Sequence, residues 1–100
     1  MYGLPEKTIK EIKQITNKYS IVFMIFGSRA RGDYKKNSDI DIAVTEHVTK
    51  EQKYQIMNDF DLIDTIYKID LVFIQDIQNE QFLETIKKEG KKIWKDMNKD

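Results

Sequence analysis

The spacing of apolar residues changes along the chain, and each change marks an element. From Pro5 to Tyr19, Ile9, Ile12 and Ile15 recur at helical spacing between Leu4 and Tyr19. Lysines and glutamates fill the other face, which predicts an amphipathic helix opened by Pro5. Ile21 to Phe26 is a continuous apolar run rich in β-branched and aromatic residues, as in a strand buried on both faces, and Gly27 ends it. Ser28 to Gly32 predicts a short helix with Ser28 near its N-cap, and Asp33 to Ser38 a polar loop. Asp39 to Val44 then alternates, with Ile40, Ile42 and Val44 on one face and Asp39 and Asp41 on the other. A helix from Lys50 to about Thr65 carries Tyr54, Met57, Phe60 and Ile63. A strand from Lys68 to Phe73 follows, with Asp70 inside it. Asn79 to Glu89 reads as a helix built on Phe82, Leu83 and Ile86, with Gly90 as its C′ residue. Lys91 to Trp94 predicts an edge strand before six frayed terminal residues.

Helices and strands therefore alternate, which predicts an α/β (α+β) fold in one domain spanning residues 1–100. Ser28 follows strand one and Asp39 opens strand two. If the two strands are neighbours and both residues reach one ligand, they run antiparallel. The small sheet is then mixed, with helices mainly on one face and the site at the edge where strand one ends and strand two begins.

Charge narrows the partners. Seventeen cations balance seventeen anions, which argues against direct nucleic-acid binding through phosphates and against an acidic membrane surface. No cysteine is present, so disulfides, thiolate metal sites and cysteine catalysis are excluded. No apolar run is long enough to span a bilayer, and the first residues lack a signal pattern, so a cytoplasmic protein is expected. Fifteen of the seventeen cations are lysine, and the only two arginines are Arg29 and Arg31. Two arginines so placed suggest forked contacts to phosphate.

The candidate chemistry lies between Gly27 and Asp41. Gly27 and Gly32 have the spacing of a Walker A loop, but Asp33 stands where that loop needs lysine. A dehalogenase-type nucleophile is also a poor fit, because the Asp39-Ile40-Asp41 pair opens a strand instead of closing one. Gly27-Ser28, then ten residues, then Asp39-x-Asp41 resembles the signature of the DNA polymerase β-like nucleotidyltransferase superfamily. Its small members, the minimal nucleotidyltransferases, are similar to nearly the whole chain, from the opening helix through the Asp70 strand to Glu89-Gly90 before Ile93-Trp94.

The residues suit that chemistry. Asp39 and Asp41 share a strand face and offer the hard oxygens that Mg²⁺ takes together with substrate phosphates. Gly27 lets a phosphate approach the backbone, Ser28 offers a hydroxyl near a helix N-terminus, and Arg29 and Arg31 can neutralise a triphosphate. The resemblance implies Asp70 as a third ligand, two Mg²⁺ ions, and ATP as substrate. It further implies, for some members, an antitoxin that transfers AMP to a tyrosine of a partner HEPN-domain toxin. Two alternatives stay open: an antitoxin that neutralises its partner by binding, with weak transfer or none, and a small-molecule nucleotidyltransferase. His47 is expected to serve a loop or helix cap, and Phe82 and Trp94 to be core. Lys35 and Lys36 are either phosphate contacts or a solvated loop tip.

Overall fold

The computed structural model describes residues 1–93; Trp94 and the frayed end expected after it lie outside the described residues. The first helix, α1 (Glu6–Tyr19), starts after Pro5, which stands as the extended N-cap residue. Glu6 in its first turn and Lys18 in its last complement the helix dipole. The strands are β1 (Phe23–Phe26), β2 (Ile40–Val44), β3 (Ile69–Phe73) and β4 (Lys91–Ile93). Between them lie α2 (Gly27–Arg31), α3 (Lys50–Asp61) and α4 (Glu80–Glu89), with a short 3-10 turn at Ile74–Asp76.

The four strands form one mixed sheet in the order β3-β2-β1-β4. β1 runs antiparallel to β2 and to β4, whereas β2 and β3 run parallel. Period-two alternation assigns the two faces. Phe23, Ile25, Ile40, Ile42, Val44 and Phe73 form one cluster with Ile12 and Ile15 of α1 and Ile56 and Phe60 of α3. The two long helices thus cover the same face. On the other face Phe26 and Ala43 meet Ile86 of α4, with Phe82 edge-on to Phe26 at 5.9 Å between ring centres. α4 covers part of this face, which also carries Asp41 and Asp70 in the same alternation as Ala43 and Val72.

The end of α3, the start of β1 and the conformation of Gly90 differ from the sequence reading. α3 ends at Asp61 instead of near Thr65, its last carbonyls taken by the N–H groups of Leu62 and Ile63. The chain must return to the sheet edge before Ile69, and helical continuation would carry it past. The regular β1 ladder omits Ile21 and Val22, because the Val22 N–H donates to Glu46 and its carbonyl accepts from Thr45. Gly90 is extended (φ −68°), so no left-handed cap explains it. A Cβ there would lie 2.5 Å from the Ile86 carbonyl oxygen and 2.9 Å from Met24 Cε, so tight packing of the α4–β4 turn on β1 requires glycine. Among the described residues, no helix is long and apolar enough to cross a membrane.

Candidate active site

The sheet register brings the acidic residues together. Asp41 lies opposite Phe26, the last residue of β1, on one side and opposite Asp70 on the other. Asp39 precedes β2 by one residue and is exposed, as is Asp70, while Asp41 is half-buried. Burial pushes the Asp41 carboxyl above the usual carboxylate range, and the charges of Asp70 and Asp39 push it further, with Arg31 pulling partly back. Three carboxylates therefore crowd one end of one sheet face, and the middle one bears the repulsion.

Gly27 makes this crowding possible. Its φ of +76° is open to glycine, and a Cβ at this position would fall 2.3 Å from Asp41 Oδ2. The turn from β1 into α2 thus passes hard against the carboxylate. Ser28 is the second residue of α2 and not its N-cap, which is Phe26. Its hydroxyl makes no hydrogen bond among the described residues, leaving it available beside the acidic end.

The two arginines separate in role. Arg31 is on the surface of the site, with its Nε 3.2 Å from Asp33 and its Nη1 2.9 Å from Glu89 at the end of α4. Hydrogen bonds to Asp33 and then Glu89 raise its pKa further. Its place near Asp41 suits phosphate contact once those partners are exchanged. Arg29 corrects the sequence reading. It is 2% exposed, and its guanidinium is consumed by main-chain carbonyls of Tyr2, Gly3 and Ser38. Its guanidinium carbon lies over the rings of Tyr34 and Tyr67, at 5.1 and 4.7 Å from their centres. With four of its five N–H donors engaged and its side chain buried, Arg29 does not present a fork to a triphosphate.

Other candidates fall away from the acidic end. His47 is exposed in the loop at the opposite end of β2. Lys35 and Lys36 are exposed in the loop before Asp39, where the Lys35 N–H donates to Ser38 Oγ. The sequence pattern assigns no site role to Glu89, Tyr34 or Tyr67. The Arg31–Glu89 pair is separated by 58 residues, and no local pattern announces it.

Among the described residues, no group of three or more acidic, His or Cys side chains stands close enough to hold a metal ion unaided. Asp39, Asp41 and Asp70 line an open edge, and this donor set suits Mg²⁺, which commonly completes its shell with substrate phosphates and water. The burial and the repulsion that raise Asp41 are both offset when a divalent cation binds beside it.

The profile described as polymerase beta, nucleotidyltransferase, matches residues 10–99, and the chain belongs to that family. No curated protein matches it significantly. Among solved structures, it is similar to a toxin–antitoxin complex with AMP-PNP, at 22% identity and TM-score 0.63, covering 86% of this chain and 72% of that one. The MntA–HepT toxin–antitoxin complex gives 19% identity and TM-score 0.58, covering 96% and 77%. The complex of tri-AMPylated Shewanella oneidensis HEPN toxin with MNT antitoxin gives 18% identity and TM-score 0.57, covering 87% and 69%. These likenesses establish the shared fold.

Proposed function

We propose that this chain is a Mg²⁺-dependent nucleotidyltransferase that moves AMP from ATP to a tyrosine hydroxyl of a HEPN-domain toxin, and so acts as its antitoxin. The observation that carries the reading is the alignment of Asp41 with Asp70 on parallel strands, with Asp39 alongside and the Gly27-Ser28 turn packed against Asp41. The fold it shares with chains of toxin–antitoxin complexes supports the choice of partner. Its zero net charge disfavours a nucleic-acid acceptor held by phosphates.

Asp39, Asp41 and Asp70 would hold Mg²⁺, which when bound supplies neutralisation of phosphate charge. The remaining work falls to the chain's own groups. Transfer forms a bond from the acceptor oxygen to the α-phosphorus and breaks the bond from that phosphorus to pyrophosphate. Asp70, exposed at the sheet edge, accepts the hydroxyl proton. Ser28 donates to a phosphate oxygen, and Arg31 leaves Asp33 and Glu89 to stabilise the departing pyrophosphate. The acceptor is positioned by the protein–protein interface, where proximity supplies much of the rate.

Calorimetry with ATP, with Mg²⁺ and then with excess EDTA, tests the nucleotide site. Pyrophosphate release on adding the cognate HEPN-domain protein tests the transfer. The reading expects metal-dependent binding and release only with the partner. ATP binding indifferent to EDTA and to Asp41→Asn would refute it.

A further inference from the structure

Arg29 joins three segments that carry the site, and nothing in the transfer step uses it. It extends from α2, the helix that holds Ser28. Its Nε and Nη2 both donate to the Ser38 carbonyl, at 3.2 and 2.9 Å, one peptide unit before Asp39. One face of its guanidinium packs on Tyr67, three residues before Asp70. Its Nη1 donates to the Tyr2 and Gly3 carbonyls, at 3.0 and 3.4 Å, and Tyr34 stacks on it as well. Planarity matters here: two nitrogens converge on one carbonyl while the guanidinium carbon lies over two tyrosine rings. A lysine ammonium reproduces the charge and neither the fork nor the stacking.

We infer that Arg29 is a positioning residue that sets the spacing between the Asp39 and Asp70 carboxylates by locking Ser38 and Tyr67 to one rigid plane. The inference rests on the proposed nucleotidyl-transfer site. Groups that orient metal ligands from behind typically change metal affinity by about 10- to 100-fold when removed, which is the size of effect expected here.

The test is Mn²⁺ binding followed by paramagnetic resonance, with a saturating ATP analogue whose α–β bridge cannot be cleaved and without acceptor, on wild type, Arg29→Lys, Asp39→Asn and the double variant. Each protein is measured well below its own unfolding midpoint. Arg29→Lys is expected to weaken Mn²⁺ binding about 10-fold in the wild-type background and less than about 2-fold in the Asp39→Asn background, because its effect runs through Asp39. Equal fold losses in both backgrounds, or no loss in either, would overturn the inference. Should Arg29→Lys not fold, Tyr67→Leu, which removes one stacking face, is measured in the same cycle and is expected to show the same non-additive loss. Failure of the wild-type protein itself to bind Mn²⁺ refutes the underlying site, and is thereby distinguished from failure of Arg29 alone.

Discussion

Replacing Asp41 with asparagine removes the central charge of the acidic edge while keeping its shape. Asp41 and Asp70 are direct cross-strand neighbours, and such side chains sit roughly 5 Å apart. Two unit charges at that distance repel by about 3 kcal/mol at an effective dielectric of 20 and by about 0.8 kcal/mol in bulk water. Asp70 is exposed, so the lower part of that range applies, and the repulsion relieved is on the order of 1 kcal/mol. For a chain of this size, that raises the unfolding midpoint by roughly 4–8 °C in metal-free buffer. The sign agrees with titration. The folded-state pKa of Asp41 is raised, so metal-free stability increases as pH falls through that value towards the unfolded one. Thermal unfolding followed by circular dichroism, with EDTA and then with Mg²⁺ and ATP, makes the comparison. Wild type gains stability from Mg²⁺ and ATP, whereas Asp41→Asn starts higher and gains little. A variant that unfolds earlier without metal, or that gains as much from Mg²⁺ and ATP as wild type, refutes the reasoning.

Three further outcomes are expected. Gly27→Ala places a Cβ against Asp41 in a left-handed backbone, costing at least about 1 kcal/mol in denaturant titration and greatly weakening ATP binding. Arg31→Lys lowers transfer about tenfold, more than Lys35→Ala, because lysine cannot reproduce a two-pronged phosphate contact; equal initial rates for the two variants would remove the forked role. Asp59 gives an acid limb: burial pushes its carboxyl up, but hydrogen bonds from Tyr19 and Lys18 outweigh this and hold it below the usual range. Its contribution is present above about pH 4 and is lost as pH falls through the folded value, so Tyr19→Phe flattens acid unfolding there. At the other extreme, the Tyr19 hydroxyl is pushed up to about 12, so wild-type stability falls as pH rises past about 10, a slope that Tyr19→Phe removes.

Much of this architecture is legible along the chain, because local rules wrote it. Alternation at Asp39–Val44 puts Asp39 and Asp41 on one side, and helical spacing of Ile12 and Ile15 aims α1 at the sheet. The antiparallel pairing of β1 with β2 follows from where Ser28 and Asp39 must meet. What escapes is tertiary. Arg29 and Arg31 look alike in sequence, two residues apart, yet α2 turns one into the interior and the other towards solvent. The partners that decide their roles sit at residues 2, 3, 38 and 67 for one and at 33 and 89 for the other. Gly90 escapes for a related reason: a Cβ there would meet the Ile86 carbonyl oxygen first and Met24 next, which no left-handed dihedral angle announces.

Intact-mass and fragment spectrometry of the cognate HEPN-domain protein, after incubation with this chain, Mg²⁺ and ATP, tests the central claim most directly. The account predicts a gain of AMP on a partner tyrosine that disappears when Asp39→Asn and Asp41→Asn are combined, with no extension of short RNA under the same conditions. Neutralisation of a partner that stays unmodified, or efficient nucleotide addition to RNA 3′ ends by the isolated chain, would contradict it.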